Sequence, residues 1–119
     1  MARRADGALE REVLAVLWDA DGAALTPTDV LEQVGGDLAY TTIMTVLSRL
    51  HDKGLTRRER RGRAYAYTAT VTESELVATR MRAELSASRD RTGALSGFVS
   101  RLDRRDRAAL RQLLEPESP

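Results

Sequence analysis

The 119-residue sequence predicts a mainly α-helical, α+β fold, with one small β-hairpin set between three N-terminal helices and a C-terminal helical segment. Three observations predict it. Apolar residues recur at helical spacing along most of the chain. One short stretch, residues 63–68, alternates with period two instead. Cap residues and glycine stops separate these runs.

The first helix covers residues 8–18, where Leu9, Val13, Val16 and Leu17 form one apolar stripe. Asp6 is its candidate cap, Asp21-Gly22 its stop, and Trp18 a packing group. Ala24-Leu25 is too short to assign alone, with the first strand of a small sheet as one reading. Thr26-Pro27-Thr28-Asp29 then reads as a strong helix start, with Thr26 capping, Pro27 at the first helical position and Asp29 reaching back. Val30, Leu31 and Val34 face inward, and Gly35-Gly36 ends the helix. A third helix runs from Tyr40 to Asp52, with Ile43, Val46, Leu47 and Leu50 as its apolar stripe. Its opposite face carries Thr41, Thr42, Thr45, Ser48, Arg49 and Asp52. Threonine is a poor helix former, and Glu or Lys would serve simple solvation better. Arg49 can alternatively pair with Asp52, and His51 suits the helix C-terminus.

After Lys53-Gly54 come residues 55–60, a turn at Gly62, and the alternating run Arg63-Ala64-Tyr65-Ala66-Tyr67-Thr68. This predicts a hairpin with Arg60, Arg61 and Arg63 at its tip. Tyr65 and Tyr67 share one face, where they are expected to pack the sheet on the helices. Arg57 and Arg58 alternate, so at most one of them faces a ligand. Beyond residue 72, Thr72 and Glu75 form a capping box. Apolar positions follow at Leu76, Val77, Met81 and Leu85, then at Leu95, Phe98, Val99 and Leu102, and finally at Leu110, Leu113 and Leu114. A polar joint spans Ser86 to Thr92, Asp103 with Asp106 restarts the last helix, and Glu115–Pro119 is a frayed tail. Two domains are expected, 1–71 and 72–119.

Composition narrows the function. Cysteine is absent, which excludes thiol chemistry and Cys-ligated zinc, and with His51 the one histidine no Ser/His/Asp or HExxH arrangement is spelled out. The acidic residues are spread as caps and surface charges, so no enzyme, cofactor or metal is expected. No apolar run approaches the roughly 18 residues of a membrane span, and no signal-peptide core follows the N-terminus, so a cytoplasmic location is expected. The net charge of +1 hides an asymmetry. Residues 1–47 hold three Arg against eight acids, net −5, while residues 48–63 hold seven basic groups against two acids, net +5. Such a block reads as the footprint of a polyanion partner or as a solvated charged face, and charge alone does not choose between them.

Three short helices followed by a basic hairpin is the order of a winged helix-turn-helix. An α-helix fits the major groove, and a hairpin wing reaches the flanking phosphates. A winged helix that binds only proteins is the rival reading; it needs neither the threonine face nor the arginine wing.

Four blocks make the pattern more specific: Leu9-Glu10-Arg11-Glu12-Val13-Leu14-Ala15-Val16-Leu17-Trp18, Ala39-Tyr40-Thr41-Thr42-Ile43-Met44-Thr45-Val46-Leu47-Ser48-Arg49-Leu50, Lys53-Gly54-Leu55 and Gly62-Arg63-Ala64-Tyr65-Ala66-Tyr67. Together they resemble the penicillinase and methicillinase repressor family of bacterial antibiotic-resistance systems, over nearly the whole chain. The resemblance implies a homodimeric repressor on an inverted-repeat operator in double-stranded DNA. It implies Thr41, Thr42 and Thr45 as groove-facing residues, Ser48 and Arg49 beside them, and Arg60, Arg61 and Arg63 as wing contacts. It implies that the C-terminal apolar positions, Leu76 to Leu114, form the dimer. It also implies release by a regulatory protease, with Gly97–Phe98 as the bond cut. The family has a larger polar residue where this chain has Gly97. Copper-responsive relatives carry C-terminal cysteine motifs, which this chain lacks.

Overall fold

The computed structural model describes residues 7–116, so the candidate cap Asp6 and the end of the tail lie outside the described residues. In order, the elements are α1 (Ala8–Asp19), α2 (Pro27–Val34), α3 (Tyr40–Asp52), β1 (Thr56–Arg61), β2 (Ala64–Ala69), α4 (Glu73–Ala87), α5 (Arg91–Ser100) and α6 (Arg104–Leu114). The chain divides into two compact units, Met1–Leu76 and Val77–Pro119. The division falls a few residues beyond the expected end of the first domain at residue 71.

The first unit is a winged helix. α1 packs against α2, α3 and β2. Being covered on several sides, it buries Leu14 as well as Val13 and Leu17, a wider face than its stripe foretold. Gly7 occupies its N-cap and makes no side-chain bond there. Trp18 donates its indole N–H to the Val71 carbonyl at 2.8 Å, tying α1 to the segment after the hairpin. A turn at Asp21-Gly22, both at positive φ, separates α1 from α2.

α2 starts as its sequence dictates. The Asp29 amide donates to Thr26 Oγ1 at 3.2 Å, and the Thr26 amide donates to Asp29 Oδ2 at 3.0 Å. This reciprocal capping box satisfies two amides that the first turn would otherwise leave open. α3 buries Ile43, Val46, Leu47 and Leu50, the predicted stripe. It ends in a Schellman motif: Gly54 at φ 78° donates to His51 O, and Leu55 to Leu50 O. That tight stop aims the chain directly into β1.

The strands pair antiparallel, from Thr56 opposite Ala69 to Arg61 opposite Ala64. The two-residue loop Gly62-Arg63 has its positive φ at Gly62, as a type II′ hairpin turn requires. Leu25 exchanges both backbone hydrogen bonds with Tyr67, at 2.9 and 2.7 Å, so the short first strand is a single-residue bridge. The core joins Val13, Leu14, Leu17, Val30, Ile43, Val46, Leu47, Leu50, Tyr67 and Leu76. Leu76 is thus packed inside the first unit, and it offers no surface to a second chain. The expectation that placed it among dimer residues is corrected: the first turn of α4, pinned by the Thr72–Glu75 capping box, folds under this core.

The second unit holds the rest of α4 with α5 and α6. Asp90 caps α5 by accepting from Gly93 N at 2.9 Å, and Asp103 caps α6 by accepting from Asp106 N at 2.8 Å. From Val77 to Pro116 no described residue is buried.

Candidate nucleic-acid interface

α3 presents one face to the core and one to solvent because its apolar residues keep the helical period. Thr41, Thr42, Thr45, Ser48 and Arg49 are all exposed on the outer face. Two large residues join them there, Tyr40 and Met44, each more than two-fifths exposed. Sequence reasoning passed over both, although their spacing from Ile43 and Leu47 already takes them off the buried stripe. Thr45 donates its hydroxyl to the Thr41 carbonyl at 2.9 Å, so toward a ligand it presents lone pairs and a methyl group. Arg49 makes no ion pair with Asp52 among the described residues.

The basic block is less uniform than its count. Lys53 is tied to Glu10 of α1 at 2.8 Å, so it braces the fold. On β1, register sorts the arginines by face. Arg58 lies opposite Tyr67 and Arg60 opposite Tyr65, while Arg57, Glu59 and Arg61 lie opposite Thr68, Ala66 and Ala64. Arg61 leans on Glu59 at 3.6 Å and donates to the Ala24 carbonyl at 3.3 Å. Arg60 and Arg61 therefore project from opposite faces of the hairpin, as strand alternation demands. Arg63 is exposed at the tip.

Tyr67 packs in the core, as expected, but Tyr65 does not: it is 37% exposed. It shares Tyr67's face yet sits two residues nearer the tip. Its ring lies beneath two guanidinium groups, those of Arg58 and Arg60. His51 is half-buried with its Nδ1 unpartnered, and no cluster of His, Cys, Asp or Glu able to hold a metal occurs among the described residues.

The family model for the penicillinase repressor matches residues 7–116, which takes in both units. The chain belongs to the penicillinase repressor family. It is also 40% identical over 113 residues to the transcriptional regulator BlaI of Mycobacterium tuberculosis, in strains CDC 1551/Oshkosh and ATCC 25618/H37Rv, covering 91% of this chain and 81% of each relative. Among solved structures, the complex structure of hsRosR-S1 shares the fold, with a TM-score of 0.52 and 22% identity over 87% of this chain and 93% of that one. The family is one of transcriptional regulators, and the chain is not an enzyme. Among the described residues no helix is long and apolar enough to cross a membrane.

In the second unit, the apolar residues expected at a dimer contact other than Leu76 are all at least partly exposed. Met81, Leu95, Phe98 and Val99 are each roughly half exposed, and Leu113 and Leu114 reach 82% and 74%. Val77, Leu85, Leu102 and Leu110 are half-buried. Gly97 and Phe98 sit within α5, on a shallow groove that they line with Gly93, Ala94, Arg101 and Leu102.

Proposed function

We propose that this protein is a DNA-binding repressor that acts in the cytoplasm as a homodimer on an inverted-repeat operator. The observation that carries this reading is the outer face of α3, where Thr41, Thr42, Thr45, Ser48 and Arg49 stand exposed on a helix whose other face is fixed in the core. Short hydroxyls let a helix approach base edges closely, and Arg49 has the reach for a guanine edge or a phosphate. Tyr40 and Met44 add apolar surface suited to thymine methyl groups. Arg63 and the exposed wing arginines meet the flanking phosphates, which position the helix without reading sequence.

The second unit supplies the dimer. Its exposed apolar side chains are a costly surface for a single copy. Pairing two copies joins two half-sites, so each recognition helix raises the effective concentration of the other. Release by a regulatory protease would cut the Gly97–Phe98 bond, inside a helix that supplies the dimer contact. Selection of duplexes from a random pool by the full chain tests this reading. Enrichment of a two-fold symmetric sequence is expected; recovery of no sequence preference would overturn it.

A further inference from the structure

Arg58 and Arg60 project from the same face of β1, and both reach the Tyr65 ring of β2. Their guanidinium carbons lie 4.3 and 5.7 Å from its centroid. The register explains the geometry, since Arg60 is directly opposite Tyr65 and Arg58 is one diagonal step away. Two cations on one face repel each other, and among the described residues no carboxylate pairs with either. Glu59 is turned to the opposite face beside Arg61. Core packing does not account for Tyr65, because it is 37% exposed where Tyr67 is 4% exposed.

A phenol ring offers its electron-rich face to cations, and it lowers the cost of holding two guanidiniums side by side. A guanidinium lying on a ring keeps its N–H edge free for an oxyanion. We propose that Tyr65 is a positioning residue that holds Arg58 and Arg60 as a paired clamp for one phosphate of the DNA backbone. The proposal rests on the DNA-binding reading above and sharpens it. It brings Arg58 into the contact set and gives Arg61 the different task of bracing the wing against the Ala24 carbonyl.

Anisotropy of a fluorescein-labelled duplex of mixed sequence, titrated with the full chain across a salt series, tests the clamp. Phosphate contacts carry no sequence information, so no operator is needed. Tyr65→Leu is expected to weaken binding by about threefold to tenfold, and Tyr65→Phe to recover most of that loss, because the ring face does the holding. In an Arg58→Gln/Arg60→Gln background the salt slope should be shallower by about one for each chain bound, since one phosphate is no longer neutralised. There Tyr65→Leu should cost about twofold or less, since nothing remains for the ring to hold. A purely structural tyrosine would weaken binding equally in both backgrounds. That result overturns the proposal, as does a Tyr65→Leu variant that binds like the wild type. If the wild type binds no duplex at any salt, the proposed function falls as well; if it binds and the Tyr65 variants match it, only the clamp falls.

Discussion

The winged-helix unit gathers side chains from Val13 to Leu76 into one buried cluster, whereas the unit from Val77 to Pro116 buries nothing. Local specification is equally good in both. Thr26 caps α2 through a full capping box, and Asp90 and Asp103 cap α5 and α6 with hydrogen bonds just as short. What differs is the source of tertiary stability. Helices of 10 and 11 residues, the lengths of α5 and α6, are marginal in water without an apolar face to bury. The first unit therefore has the means to stand by its own packing. The second carries helices whose large apolar residues stay exposed in a single chain, the surface that the proposed dimer would cover.

That contrast can be broken most forcefully at Phe98. Phe98→Asp places a charge in the proposed dimer contact, at a residue that is no member of the first unit's buried core. Operator affinity in a gel-shift titration should drop by orders of magnitude, because two half-sites are no longer joined. A loss confined to a few-fold would mean that one copy suffices.

Truncations sharpen the same contrast. Leu14→Ala removes a fully buried side chain and should cost about 2–5 kcal/mol in denaturant unfolding of the winged helix. The cost should be much the same at every protein concentration. Leu95→Ala should instead cost little at low concentration and more as concentration rises, since the contact it weakens exists only between paired copies. Two identical concentration dependences would remove the distinction between the units.

A smaller effect is expected at Gly97. Its backbone is helical, and an added Cβ would meet only the Arg101 guanidinium, at an ordinary 3.5 Å. Gly97→Ala should stabilise α5 by about 0.5–1 kcal/mol, read as a raised thermal midpoint. A fall instead would show that a partner backbone approaches closely there.

The smallest effect concerns pH at the start of α4. The Thr72 backbone amide, and secondarily its side chain, hydrogen-bond the Glu75 carboxylate and hold it below the usual glutamate range. A depressed folded value means that the contribution is complete above that range and fades as pH falls through the folded value. The Thr72 amide resonance should titrate with a midpoint below that of an ordinary glutamate, and Glu75→Gln should flatten it. A midpoint at the ordinary value would show the capping box to be loose in solution.

Much of this was legible in the sequence because it was written locally. The α3 stripe follows from spacing alone, and Gly54 marks its end. The Thr26 and Thr72 boxes need only residues three apart. Harder to read was whatever depended on neighbours distant in the chain. Leu76 looks like the first position of the C-terminal stripe, and only the packing of α4's first turn moves it into the other core. Arg60, Arg61 and Arg63 look like one cluster at a tip, but pairing with β2 sends Arg60 and Arg61 to opposite faces. The alternation that separated Arg57 from Arg58 carried that signal already. Tyr65 shows the limit of the same rule: alternation fixes its face but not whether that face is covered.

Sedimentation equilibrium of the wild-type chain at micromolar concentration tests the central claim, that the second unit completes its core with another copy. The account predicts a species of twice the 13.2 kDa chain mass, and the single-chain mass for Phe98→Asp with the winged helix still folded. A wild type that sediments as a single chain throughout the concentration range would contradict it.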